Sequence, residues 1–246
     1  MLVLAGSPCS SSAQSRTALQ ALTTYGRWLY EYDAACSVAT DTVLASHPDS
    51  SRLGIYVALQ VASRWIVVFG RVDSSSFEIS YEVVLDSSQR VEAYANHSPA
   101  ILAPDILLRA ARALASGLAA FGPRQHPYNP MVLPSSDSAW VVYLVPAETS
   151  SDSVYIGADV RYVVSADGLS IKQATGLHQG LLAMAKIPPD AGIPALLHNH
   201  TLIDAPVETD VFYVLRQRPR VRHYVGAGNR VFAIEVNGDI RFLSDP

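Results

Sequence analysis

Two histidines and a group of acidic residues form the closest gathering of metal-capable side chains in the sequence. His198 and His200 are separated by one residue, and Asp204, Glu208 and Asp210 follow them closely. Residues i and i+2 of a β-strand face the same side, so the two imidazoles would project together from a strand. Two imidazoles and one carboxylate form a three-ligand set for zinc that leaves a fourth position open, as in catalytic zinc sites. The alternative is that both histidines bond to backbone or solvent at a strand end.

The order of these residues resembles that of the JAMM (JAB/MPN) metallopeptidases over about fifty residues, from 193 to 243. The motif of that family is His-x-His, a short loop and Ser-x-x-Asp, with a glutamate upstream. His198, His200 and Asp210 match its metal ligands, and the resemblance implies a zinc centre that hydrolyses amide or isopeptide bonds. Glu148, which follows a predicted strand, is the nearest counterpart of the glutamate that acts as general base. The family's serine falls on Val207, which has no hydroxyl group.

The missing hydroxyl favours a second hypothesis, that the protein is a non-catalytic binding or inhibitory module whose partner is another protein. The sequence from 17 to 95 predicts a helix followed by a strand meander. That pattern resembles PepSY and cystatin-like modules, which commonly bind or inhibit other proteins. The sequence alone does not decide between the hydrolase and the binding module.

Four arginines alternate with other residues after the metal motif: Arg216, Arg218, Arg220 and Arg222. Guanidinium groups at this spacing could dock an acidic partner or a carboxylate substrate. Charged side chains at alternating positions are also typical of an edge strand that discourages aggregation, and the spacing favours that interpretation.

The composition is typical of a globular protein and does not favour binding to nucleic acid. The chain has 246 residues, 49% of them hydrophobic, so it can bury a full core. Its net charge is −4, and no run of lysine or arginine occurs, which argues against nucleic acid as a partner. The longest apolar runs are too short for a transmembrane helix.

Residues 1–13 resemble the end of a secretory signal peptide that lacks its basic head. Removal of that segment would leave a periplasmic or secreted protein with Cys36 as its single cysteine, and therefore without an internal disulfide. The alternative is a cytoplasmic protein with a disordered N-terminal tail.

The apolar pattern predicts an α+β fold with a long N-terminal helix, an antiparallel meander, a second helix and a strand-rich C-terminal half. The first helix covers 17–45, and the last strand of the meander is short, at 90–94. The second helix opens at Pro104 and ends before Gly122. Residues 123–134 form a connection between predicted units at 14–122 and 135–246, which could also pack as one domain.

The C-terminal half carries the remaining predictions. Residues 193–197 read as a buried strand that leads into His198, and 177–185 as a short helix. Residues 210–215 form a strand or a helix. The dipeptide Asn237-Gly238 predicts a tight hairpin between the last two strands.

Overall fold

The computed structural model describes residues 10–135, 139–150, 152–188, 192 and 195–244. Within them the chain forms three α-helices and fourteen β-strands in four sheets, which confirms the α+β prediction. The chain divides into two compact units. The first unit is made of residues 1–30 and 185–246, and the second of residues 31–184. The proposed signal segment lies mostly outside the described residues.

The helices and strands have the following bounds. The helices are α1 (Ser10–Ala45), α2 (Asp105–Phe121) and α3 (Glu208–Arg216). The first ten strands are β1 (Ile55–Val61), β2 (Arg64–Val72), β3 (Phe77–Leu85), β4 (Val91–Leu102), β5 (Tyr128–Pro134), β6 (Trp140–Pro146), β7 (Ser153–Gly157), β8 (Val160–Val164), β9 (Ile171–Gly176) and β10 (Leu181–Ala185). The last four are β11 (Ala195–His200), β12 (Arg222–Ala227), β13 (Arg230–Ile234) and β14 (Ile240–Ser244).

The second unit contains the predicted meander, in which β1, β2, β3 and β4 pair in sequence order. Tyr32 of α1 is fully buried beside Trp65 of β2, with ring centroids 5.9 Å apart. The Tyr32 hydroxyl accepts a hydrogen bond from the Ala58 N–H at 3.2 Å, which ties the helix to β1. The predicted end of the meander at 94 is wrong. Pairing with β3 resumes beyond an irregularity and continues until Leu102 lies opposite Glu78.

Helix α2 ends before Gly122, as predicted, and begins one residue later than predicted, with Pro104 as its N-cap residue. It packs on β1 and β2, and also on the second antiparallel sheet, which has the order β5-β6-β8-β9. A Cβ on Gly117 would lie 2.7 Å from Val142 Cγ1, so this glycine lets the helix approach β6 closely.

Two predictions for the second unit are wrong. The connection at 123–134 contains a strand, β5, which tolerates Pro130 because it lies at the edge of its sheet. The segment 177–185 contains β10 instead of a helix, since pairing with β7 overrides its helix-favouring composition.

The first unit is a four-stranded mixed sheet with the order β11-β12-β13-β14, and α3 connects the parallel strands β11 and β12. A parallel pair needs such a crossover, whereas the other strands are joined as antiparallel hairpins. The predicted hairpin at Asn237-Gly238 is confirmed, and Gly238 has the positive φ of 89° that the turn requires. Apolar side chains of α3, β12 and β13 form the core, among them Val211, Val225 and Phe232.

Strand β11 is not the buried strand that the sequence predicted. It lies at the edge of its sheet, and Leu197 is 69% exposed. Residues 193 and 194 of that prediction lie outside the described residues. The edge-strand prediction for the four arginines is also wrong. Helix α3 continues to Arg216, and Arg222 opens β12, which lies between two other strands.

Candidate metal centre

The register of the mixed sheet directs His198 and His200 toward α3. In the parallel pair, His198 lies opposite Val225, and residues that pair in this way face the same side of the sheet. Val225 is buried against Val211 of α3, so the helix covers that side. Because residues i and i+2 share a face, both imidazoles lie under the helix.

The start of α3 brings a carboxylate to the two imidazoles. Nε2 of His198 lies 3.0 Å and Nε2 of His200 lies 3.2 Å from Oδ1 of Asp210. The two Nε2 atoms are 3.3 Å apart. The side chains of His200 and Asp210 are fully buried, and that of His198 is 18% exposed. The structure therefore brings together the three side chains that the sequence predicted as metal ligands.

Hydrogen bonds behind this group fix which atoms face its centre. His200 donates its Nδ1–H to the carbonyl oxygen of Ala205 at 2.7 Å, which leaves Nε2 as a lone-pair donor. Oδ2 of Asp210 accepts the backbone N–H of Val207 at 2.7 Å, which leaves Oδ1 toward the histidines. Metal-binding histidines and carboxylates are commonly held by such secondary bonds.

Asp210 is the third residue of α3, so its bond to Val207 is one half of a capping box. The other half requires a side-chain acceptor at the first cap position, and valine offers none. The positive end of the helix dipole further favours a carboxylate at this place.

The geometry and chemistry of the three atoms fit a metal ion. Ligands of a tetrahedral zinc, each about 2.0–2.1 Å from the metal, are separated by about 3.3 Å. The three observed separations run from 3.0 to 3.3 Å. A buried carboxylate oxygen that faces two imidazole nitrogens is stabilised by a positive charge between them. These residues could hold a metal ion, and their nitrogen and oxygen donors suit first-row transition metals.

His223 of β12 is a further residue at this site, and the sequence did not indicate that it would lie beside the metal ligands. Its Nε2–H donates to Oε1 of Gln217 at 2.8 Å, and its ring stands edge-on to that of His198 with centroids 6.3 Å apart. The pKa of His223 is lowered to about 4, chiefly by burial and also by the neighbouring His198, while Asp210 opposes the shift. A neutral ring therefore packs beside His198 at neutral pH. The position of His223 depends on the parallel pairing of β11 with β12, and no pattern in the sequence predicts that pairing.

The other candidate carboxylates lie in different surroundings. Asp204 is exposed in the loop that follows β11, where its backbone carbonyl accepts a hydrogen bond from Arg230. Glu208 is buried at the start of α3 and does not belong to the metal-binding group. Glu148 lies in the second unit, exposed, just after the end of β6. Its role as general base stays a prediction.

The second unit contains a histidine–carboxylate pair of its own. His178 donates its Nδ1–H to Oδ1 of the fully buried Asp159 at 2.6 Å. Histidines that donate Nδ1–H to a carboxylate in this way commonly bind a metal ion through Nε2.

The four arginines predicted as a binding surface have contacts within the first unit. Arg218 and Arg220 donate to the carbonyl oxygen of Leu215, at 2.6 and 2.9 Å, and so cap the C-terminal end of α3. Both also lie over the ring of Tyr30. The guanidinium group of Arg216 lies over the Phe212 ring, and that of Arg222 binds Glu235. Their binding of a partner stays a prediction.

Comparisons with known proteins add no relative: no family model, curated protein or solved structure matches the chain. Among the described residues, no helix combines the length and the apolar character needed to cross a bilayer.

Proposed function

We propose that the protein is a zinc-dependent hydrolase of amide or isopeptide bonds, with His198, His200 and Asp210 as the metal ligands. One observation carries the proposal: Nε2, Nε2 and Oδ1 of these residues converge at 3.0–3.3 Å, and secondary hydrogen bonds orient two of them. Catalytic zinc sites commonly have three protein ligands and keep one tetrahedral position for water or substrate. The resemblance of this segment to JAMM metallopeptidases agrees with that chemistry.

Each residue has a defined task in this proposal. Zinc in the site would polarise the substrate carbonyl and acidify water. His200 and Asp210 are held by backbone groups, so the site needs little rearrangement to accept an ion. Glu148 is assigned the proton transfer: it takes a proton from the attacking water as the C–O bond forms. It then gives that proton to the leaving nitrogen as the C–N bond breaks.

The test combines metal content with turnover. Untagged protein should carry close to one zinc per chain by elemental analysis, and the double variant His198→Ala, His200→Ala should carry none. Hydrolysis of coumarin-amide peptides and of an isopeptide-linked fluorophore pair should fall at least about 100-fold in Glu148→Gln, with zinc retained. Asp204→Asn is the matched control and should keep both properties. Zinc retained by the double variant would contradict the proposed ligands.

A second candidate function is a zinc-stabilised binding module without catalysis. Val207, at the position of the family's serine, offers no hydroxyl to stabilise an oxyanion, and this observation favours the second candidate. Stoichiometric zinc with no hydrolysis of either substrate class would support it. Turnover that depends on Glu148 would exclude it.

A further inference from the structure

A cleft of about 660 Å³ lies in the first unit between the N-terminal part of α1 and the edge strand β14. This volume lies within the range of ligand-binding sites in proteins. Its lining includes Arg16, Leu19 and Gln20 from the helix and Ile240, Arg241 and Phe242 from the strand. The cleft thus combines apolar side chains with guanidinium groups.

The charge of the cleft is positive, although the chain as a whole carries −4. A third arginine of the lining, Arg27, is bound internally: it donates to Oδ1 of Asp239 at 2.8 Å. Asn237 donates to the other oxygen of Asp239 at 2.9 Å, so this carboxylate is engaged within the turn. Arg16 and Arg241 therefore supply the excess positive charge. Such charge favours a ligand that brings carboxylates.

Arg241 is held weakly by the protein itself. Its nearest carboxylate is that of Glu235, at 3.8 Å, and the guanidinium group of Arg222 binds the same carboxylate at 2.9 Å. The Arg241 side chain is 68% exposed. It can turn toward a ligand at little cost, because an exposed and distant ion pair contributes little stability.

One side of β14 is open to a further strand. In the order β11-β12-β13-β14 it is a terminal strand, and in the described part of the chain it pairs only with β13. Phe242 and Leu243 are each 49% exposed, so this edge presents apolar side chains as well as backbone groups. An extended peptide can add to such an edge through main-chain hydrogen bonds, while side-chain contacts give selectivity.

We propose that this cleft binds an extended peptide segment with acidic side chains. The peptide main chain pairs with β14, its carboxylates contact Arg16 and Arg241, and its apolar side chains lie against Leu19 and Phe242. The site lies at the opposite edge of the sheet from β11, which carries the histidines. The inference therefore does not depend on zinc or on hydrolysis.

The probe for this proposal is a short fluorescent peptide of alternating glutamate and valine, with a lysine–valine peptide as its control. Fluorescence anisotropy with the full chain should show binding of the acidic peptide at least about tenfold tighter than of the basic one. The variants Arg16→Glu and Arg241→Glu should each weaken that binding by at least about tenfold. Arg71→Glu makes the same change of net charge on an exposed arginine of the second unit and should leave binding within about twofold.

Hydrogen exchange tests the strand addition separately. The acidic peptide should slow exchange of amides in 240–243. Equal affinity for both peptides, an equal loss with Arg71→Glu, or no protection at 240–243 would each overturn the proposal. Binding of a single-stranded oligothymidylate as tightly as the acidic peptide would also overturn it, because the cleft would then recognise negative charge and not a peptide.

Discussion

The substitution Asp210→Asn should remove the stabilisation of the protein by zinc without disrupting α3. The change takes away the charged ligand atom, Oδ1, which lies 3.0 and 3.2 Å from the two imidazole nitrogens. An asparagine oxygen can still accept the Val207 N–H that Asp210 accepts at 2.7 Å. The helix start is therefore kept, and metal binding is the property that changes.

The magnitude follows from binding linkage. Free zinc at 100 times its Kd stabilises the folded state by about 2.7 kcal/mol. For a chain of 246 residues this raises Tm by about 5–11 °C, at about 2–4 °C per kcal/mol. If loss of the charged ligand weakens binding by about 100-fold, the same zinc concentration gives only about 0.4 kcal/mol, or about 1–2 °C. The two proteins thus differ by several degrees.

The assay is thermal unfolding followed by circular dichroism, with free zinc set by a metal buffer and a chelator-treated sample as baseline. Asp204→Asn is the control, because this exposed aspartate in the loop between β11 and α3 lies outside the metal-binding group. It should show the full zinc-dependent rise in Tm. The reasoning is refuted if Asp210→Asn shows the same rise as the unaltered protein, or if Asp204→Asn loses it equally.

Three further predictions concern packing and reactivity. Gly26→Ala places a methyl group 2.4 Å from Cβ of Val211, so urea unfolding should show a net loss of about 2 kcal/mol: about 3 kcal/mol of overpacking against about 1 kcal/mol of helix propensity. Burial raises the pKa of the Cys36 thiol, so iodoacetamide should label this cysteine only after unfolding, as judged by peptide mass spectrometry at pH 8. His223→Ala should weaken zinc binding about 10- to 100-fold in chelator competition, and His223→Phe should weaken it less because a ring still packs beside His198.

Controls separate these outcomes from general effects of substitution. Thr24→Ala, at an exposed position of the same helix, should leave stability nearly unchanged. If Gly26→Ala stabilises the protein, the close approach of α1 and α3 is wrong. Labelling of Cys36 in the folded protein would contradict its burial. Equal zinc affinity in both His223 variants would mean that its ring does not position His198.

The features that could be predicted from the sequence are those determined by residues close together along the chain. The end of α2 follows from Gly122, and the last hairpin from Asn237-Gly238, because a turn is determined by a few adjacent residues. The metal-binding group was found for the same reason. His198, His200 and Asp210 are close in sequence, and a strand, a loop and the first turn of a helix suffice to bring them together.

Features that depend on pairing between strands far apart in the sequence could not be predicted. His223 joins the site only because β12 returns parallel to β11 after α3. The length of β4 depends on how far β3 offers partners. The edge-strand prediction for the four arginines was wrong because alternation is typical of a strand. Here the chain runs from the end of α3 through Pro219 into β12. Alternating charge alone does not distinguish a sheet edge from residues that cap a helix.

Asp210 serves two purposes with its two oxygens, since Oδ2 caps α3 and Oδ1 faces the histidines. Selection for folding would therefore preserve this aspartate even in a descendant that no longer used a metal. The imidazole of His198 has no such part in starting the helix. Among homologous proteins, conservation of the histidine pair would accordingly follow metal binding, whereas conservation of the aspartate would follow the fold.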